Sequence, residues 1–293
     1  MPFAVRARFD WRLRTRSIEL GRRTLLMGIL NATPDSFSDG GEWLDAEAAT
    51  AHGLEMLDEG ADIVDVGGES TRPGAVALSP AEEQARVLPV LRGILKVRPD
   101  AVLSIDTYHA ETARAAVEAG AEIVNDVSGL LWDEAMAGVC AELGCGVVLM
   151  HTRGRPQEWR GLPRLAPEEV MPLVLRELAG RAEAAMAAGV AREAIVLDPG
   201  FGFGKMMGEN WPLLGRFEEL QGLGFPLLAG VSRKSFLGRA VMEAAVRDSA
   251  EAIREATGAA NTAAILGGAH VLRVHEVGAA RVVAAIADRI LED

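Results

Sequence analysis

The sequence predicts an α/β fold, a (β/α)8 TIM barrel with an N-terminal β-hairpin capping the barrel bottom. Three observations predict it. Apolar, β-branched runs alternate with helix-forming segments along the chain, the pattern of parallel strands joined by crossover helices. Eight of those runs deliver a polar residue: Asn31, Asp65, Asp106, Asn125, His151, Asp198, Ser232 and Arg273. The length of 293 residues suits such a barrel, which typically takes roughly 250 residues around one core. Polar groups repeated at strand ends point to a site on one rim. A doubly wound sheet would call for Gly-x-Gly-x-x-Gly after its first strand, where Asn31-Ala32-Thr33-Pro34-Asp35-Ser36 stands instead.

The elements follow in order. Near the N-terminus Val5, Ala7, Phe9, Trp11 and Leu13 alternate with polar residues, as in a half-buried hairpin. Barrel strands are expected over 25–30, 62–66, 102–105, 122–125, 146–150, 195–197, 226–229 and 270–274. Helices are expected over 45–58, from Ser79, then over 109–118, 132–143, 167–188 and 210–220, with a last amphipathic helix to the C-terminus. Ser79 is an N-cap backed by Pro80 and Glu82. The segment 239–258 reads as an outer helix and its connector. No Pro/Ser-rich linker interrupts the pattern, which predicts a single domain over residues 1–293.

Composition narrows the class. A formal net charge of -12 argues against a nucleic-acid surface. No apolar run approaches the ~20 residues of a membrane span. Seven arginines lie within the first 23 residues, without the apolar stretch of a signal peptide. Cys140 and Cys145 read as small core residues kept reduced. A cytoplasmic enzyme acting on small molecules is the expectation.

Several segments carry chemistry. Loop 31–41 and loop 67–75 combine hydroxyls, a neutral amide, a guanidinium and glycines, a composition suited to an anion such as a phosphate. Asn31, directly at a strand end, can ligate a hard cation without adding charge, which fits Mg²⁺ held chiefly by ligand phosphate oxygens. A side-chain period of two turns Arg273 and His275 the same way, and inward if Val274 faces the helices. Barrels often bind phosphate near the last two strands, so this pair reads as a pyrophosphate clamp. Ser232 and Lys234 share a face by the same argument. An inward lysine should meet a carboxylate or an electron-rich ligand atom. Asp106, Asn125 and Asp198 would form the opposing wall, suited to the donor-bearing edge of a heterocycle. The run 198–205 adds a glycine-rich turn able to approach a flat ligand closely.

Taken together, 31–41, 65–75, Ser104-Ile105-Asp106-Thr107, 125–129, Met150-His151, 198–205, 232–238 and Arg273-Val274-His275 resemble the dihydropteroate synthase family of folate synthesis. The likeness runs from Met27 to Val277. It implies condensation of 6-hydroxymethyl-7,8-dihydropterin pyrophosphate with p-aminobenzoate, releasing pyrophosphate. Carried over by position, Asp106, Asn125, Met150, Asp198 and Lys234 would hold the pterin. Asn31, Arg72, Arg273 and His275 would hold pyrophosphate, with Asn31 on Mg²⁺. Phe37, Asp39, Thr71, Arg72, Pro73, Phe203 and Ser232 would shape the p-aminobenzoate site. Asp106, Lys234, Arg273 and His275 would act on the reacting centre, in an SN1-like displacement without a protein nucleophile. The family is usually a homodimer through its late helices. The chain departs from it at Thr152-Arg153-Gly154 and over 239–258.

Two alternatives remain. A pterin domain of a methyltransferase would keep the wall without the pyrophosphate clamp, and a non-catalytic pterin-binding protein would lose the loop residues. Asn31, Thr71, Arg72, Arg273 and His275 are all present, which favours the synthase. A metal-dependent hydrolase would want several histidines at strand ends, where only His151 and His275 stand.

Overall fold

A computed structural model of the chain describes residues 6–32, 42–69, 77–244 and 250–292. Among these, an antiparallel hairpin of β1 (Phe9–Arg12) and β2 (Ser17–Leu20) precedes a sheet of eight parallel strands. Strand β3 (Leu25–Asn31) leads to α1 (Glu42–Glu59), β4 (Ile63–Gly67) to α2 (Pro80–Val97), and β5 (Leu103–Asp106) to α3 (Ala110–Glu118). Strand β6 (Ile123–Asp126) leads to α4 (Met136–Leu143), β7 (Gly146–Met150) to α5 (Pro167–Ala187), and β8 (Ile195–Asp198) to α6 (Asn210–Gly215). Last come β9 (Leu228–Ala229) with α7 (Ser235–Glu243) and α8 (Ala250–Leu266), and β10 (Val271–Val274) with α9 (Val277–Glu292). Each strand from β3 to β8 pairs with the next, and β10 pairs with both β3 and β9. The remaining seam is held by a Leu197–Leu227 bridge, and the Leu197 N–H donates to the Pro226 carbonyl at 2.9 Å. The sheet thus closes into the expected barrel.

The alternation of side chains divides the apolar residues into two cores. Outward residues such as Val64, Ile105, Leu149, Leu197 and Val274 meet the helices. Inward residues Met27, Ile63, Val102, Ile123, Val148, Val196, Leu228 and Val271 fill the barrel, and Trp11, Leu13 and Leu20 of the hairpin pack beneath them. Trp11 is fully buried and its indole N–H donates to the Ala194 carbonyl at 2.8 Å. The hairpin is therefore the floor of the barrel, and the polar layer lies above the apolar one.

Helix α2 starts as expected, with a reciprocal capping box between Ser79 and Glu82. Most boundaries shift by one to three residues from the sequence reading, and three of the differences have a physical reason. Helix α4 begins at Met136 rather than at Trp132. The Asp133 carboxylate is engaged by the N–H of Ala110, at the start of α3, and of Ala135, which holds the preceding turn out of helical register. The helix expected over 210–220 stops at Gly215, and a 3₁₀ stretch Phe217–Leu223 follows. Its three-residue turn brings both Phe217 and Leu220 into the core. Strand β9 has two residues: Pro226 has no N–H for the ladder, and the Leu227 N–H donates to the His270 ring at 3.1 Å. The segment 239–258 contains the end of α7 and the start of α8, on either side of residues 245–249.

Candidate active site

The parity that buries Ile63, Ile123 and Val196 places Asp65, Asn125 and Asp198 directly above them, inside the barrel. Asp106 pairs in register with Asn125, and Met150 with Asp198. Val274 faces the helices, so Arg273 turns inward as expected. Its Nε donates to Asp65 at 2.6 Å and its Nη2 to Asp106 at 2.5 Å. Asn125 donates from Nδ2 to the same Asp65 oxygen at 2.9 Å, and the other Asp65 oxygen is buried without a partner. In the sequence Asp65 stands out only as a strand end and as part of a family motif. Two-residue spacing from inward Ile63 was the signal that could have assigned it to the wall.

Asp198 accepts from the Gly200 N–H at 2.7 Å. This short return requires Gly200, whose φ is +66° and whose hypothetical Cβ would lie 2.0 Å from the His151 carbonyl oxygen. Lys234, just before α7, reaches inward but meets neither carboxylate directly. Its Nζ lies 4.1 Å from the centre of the Phe203 ring, a cation–π contact. Of the two expected partners, a carboxylate or an electron-rich ligand atom, the carboxylates of Asp198 and Asp106 act on Lys234 through space. On the adjacent rim, Ser232 Oγ and His275 Nδ1 are 3.0 Å apart, and the His275 N–H donates to Ser232 Oγ. Arg273 and His275 share the inward direction; the guanidinium reaches Asp65 and Asp106, and His275 meets Ser232.

His151 takes the opposite parity from Met150. It is fully buried on the outer side, with Nε2 3.0 Å from Glu177 of α5. Burial pushes its pKa down to about 3, and it is part of the packing between barrel and helix. Asn31 is exposed at the rim. The expected site residues Phe37, Asp39, Thr71, Arg72 and Pro73 lie outside the described residues.

The wall is electrostatically loaded. Burial pushes the Asp106 carboxyl up to about 7, with Arg273 opposing and Asp65 adding to the rise. Burial likewise raises Asp198, against the Gly200 N–H and Lys234. Lys234 is lowered to about 8 by burial and by the like charge of Arg273. Burial alone would lower Arg273, but Asp65 and Asp106 outweigh it and raise the guanidinium. Acids from β4, β5 and β8 thus face cations from the ends of β9 and β10. Such a cavity can accept hydrogen bonds from a flat, donor-bearing heterocycle and oppose charges that separate across it.

A family model described as "Pterin binding enzyme" matches residues 27–275. The chain belongs to the pterin-binding enzyme family. Within this family it is 41% identical over 282 residues to the dihydropteroate synthase of a Synechocystis strain, covering 96% of this chain and 92% of that protein. The solved Xanthomonas albilineans dihydropteroate synthase with 4-aminobenzoic acid superimposes with a TM-score of 0.86 at 41% identity, over 96% of this chain and 98% of that one. A Yersinia pestis dihydropteroate synthase solved with a sulfonamide drug gives a TM-score of 0.86 at 35% identity, over 97% and 100% of the two chains. The matched pterin-binding region spans the whole polar layer from Asn31 to His275.

Proposed function

We infer that the chain is a dihydropteroate synthase, a transferase joining 6-hydroxymethyl-7,8-dihydropterin pyrophosphate to p-aminobenzoate in folate synthesis. The observation that carries the residue assignment is the inward ring Asp65–Arg273–Asp106 with Asn125, Asp198 and Lys234 beside it. Asn125, Asp106 and Asp198 offer acceptors and an amide to the pterin edge, and Met150 lies beside Asp198 at its face. When the methylene–oxygen bond breaks, negative charge grows on pyrophosphate and positive charge on the pterin methylene. Arg273 and His275 on the β10 side stabilise the first, and Asp106 stabilises the second through the conjugated ring. The arylamine of p-aminobenzoate then attacks the methylene, so no covalent enzyme intermediate forms. Ser232 and Phe203 belong to the p-aminobenzoate side of this reading, together with Phe37, Asp39, Thr71, Arg72 and Pro73.

Among the described residues, no three His, Cys, Asp or Glu side chains converge as a metal site. The donor present at the rim is the amide oxygen of Asn31, which fits a Mg²⁺ ion that arrives with pyrophosphate rather than one held by the protein alone. Bound there, Mg²⁺ would neutralise charge on the leaving group. Asn31 would supply its protein oxygen.

The same reading includes a cytoplasmic setting, in keeping with the two buried, unpaired cysteines. It also includes a homodimer, supported by Val282, Ile286 and Ile290, which form an exposed apolar stripe along α9. A monomer by sedimentation at micromolar concentration would remove the dimer from it.

The test mixes purified protein with the pterin pyrophosphate, p-aminobenzoate and Mg²⁺ and follows pyrophosphate and dihydropteroate together. Equal amounts of both are expected, abolished by Asp198→Asn. Tight pterin binding with no condensation would favour the methyltransferase-domain or binding-protein alternatives.

A further inference from the structure

Lys205 closes the glycine-rich run that begins at Asp198, and its side chain folds back into the protein until it is 4% exposed. Its Nζ donates to three backbone carbonyls, Gly200 at 2.7 Å, Phe203 at 3.2 Å and His151 at 3.3 Å. Among the described residues no carboxylate lies within ion-pair distance of it. Burial drives its pKa well down, with Asp198 opposing. Three acceptors around one nitrogen nevertheless require three donors, which the ammonium has and the neutral amine lacks. Lys205 therefore sits as a bound cation would, at the centre of a carbonyl cage.

The cage ties three carbonyls of the turn and of the end of β7 to one nitrogen, beside the bonds Gly202 N–H to Asn210 and Arg153 to the Phe203 and Gly204 carbonyls. Gly200, Gly202 and Gly204 all have positive φ, so the turn has little conformational preference of its own. The His151 carbonyl fixes the turn to the end of β7, whose own N–H at His151 donates to the Asp198 carbonyl at 2.8 Å. The Gly200 carbonyl fixes the residue that binds the Asp198 carboxylate. The Phe203 carbonyl fixes the residue whose ring lies under Lys234 and edge-on to Trp159, 5.4 Å between ring centres. Without the ammonium, three carbonyl dipoles would point at one another in a buried space.

We propose that Lys205 is a positioning residue for the p-aminobenzoate half of the reaction: its ammonium cross-links the turn 200–203 to β7 and thereby sets the Phe203 ring and Lys234 against each other. This rests on the synthase reading for its substrate, but the contact it governs is independent of any reaction. Misplacing a reacting partner by an ångström can cost orders of magnitude in rate; Phe203 serves p-aminobenzoate alone, whereas the pterin, which shares Lys234, keeps Asp65, Asp106, Asn125 and Arg273 as further partners. The loss should therefore fall on p-aminobenzoate.

The experiment compares wild type with Lys205→Met by kinetics and by NMR of protein labelled at lysine Cε. The chain has three lysines, Lys96, Lys205 and Lys234, so the spectrum is assignable with Lys234→Arg. In wild type the Lys234 Hε signals should be shifted upfield by the Phe203 ring. In Lys205→Met they should move towards those of Lys96, while KM for p-aminobenzoate rises about tenfold and KM for the pterin pyrophosphate changes by less than about threefold. Should Lys205→Met not fold, Lys205→Arg keeps the charge with a wider head group and should give the same changes at smaller size. A Lys234 shift that survives in the folded variant overturns the proposal, as does an equal rise in both KM values. A wild-type chain without synthase activity sinks the functional reading, and the NMR comparison still decides whether Lys205 sets the Phe203–Lys234 contact.

Discussion

Asp106→Asn should make the ligand-free protein more stable at alkaline pH while disabling it. Asp106 and Asp65 share one guanidinium, at 2.5 and 2.6 Å, inside the barrel. Burial, opposed by Arg273 and reinforced by Asp65, lifts the Asp106 carboxyl from 3.8 to about 7. A raised acid favours the folded state at low pH, where it is protonated in both states. That advantage is fully present below 3.8 and is lost as pH rises through about 7. At roughly 1.4 kcal/mol per pKa unit the whole interval has an upper bound on the order of 4 kcal/mol. About two of its three units fall between pH 5 and pH 8, or on the order of 2–3 kcal/mol. Asparagine is neutral throughout and keeps an oxygen for Arg273. The variant's advantage in Tm should thus grow by about 5 °C from pH 5 to pH 8. Calorimetry of both ligand-free proteins across this range measures it, because titrations common to both cancel. Condensation should meanwhile fall by at least about a hundredfold, through loss of the negative field at the pterin. A Tm difference flat with pH, or a less stable variant at pH 8, would refute the reasoning.

Pterin affinity should follow a bell, rising as Asp106 ionises through about 7 and falling as Lys234 loses its proton through about 8. Calorimetric titration with a dihydropterin from pH 5.5 to 9.5 tests this: Asp106→Asn should remove the acidic limb and Lys234→Met the basic one, and a bell unchanged by either variant would reject both assignments. Trp11→Ala, in the barrel floor, should cost about 3–5 kcal/mol by urea unfolding, with KM for both substrates unchanged in the folded fraction. A shifted KM would mean that the floor is coupled to the rim.

Most of the barrel was legible because a period of two and strand-length apolar runs are local properties. Once Ile123 or Val196 is taken as inward, Asn125 and Asp198 must be inward as well, and both are. The boundaries that moved were decided by partners distant in sequence. Asp133 looks like part of a helix until α3 engages its carboxylate. The turn after Gly215 tightens because Phe217 and Leu220 must both reach the core. His151 shows the same parity from the other side: one residue past an inward methionine, a histidine at a strand end belongs to the helix layer.

The interior of the site was less legible, and the reason is physical. A sequence shows which groups are charged but not which of them share a partner. Asp65 and Arg273 are 208 residues apart, and no local pattern says that the guanidinium will be drawn between Asp65 and Asp106 rather than left at the rim with His275. Lys205 was harder still, because its partners are backbone carbonyls, which every residue has. Both cases follow one rule: a buried charge must be satisfied by whatever surrounds it. Three carboxylates, Asp65, Asp106 and Asp198, face two cations, Arg273 and Lys234, in the described wall. That ring is left short of positive charge and of hydrogen-bond donors, with one Asp65 oxygen unpartnered. A guest rich in N–H donors, on which positive charge develops as its leaving group departs, supplies both.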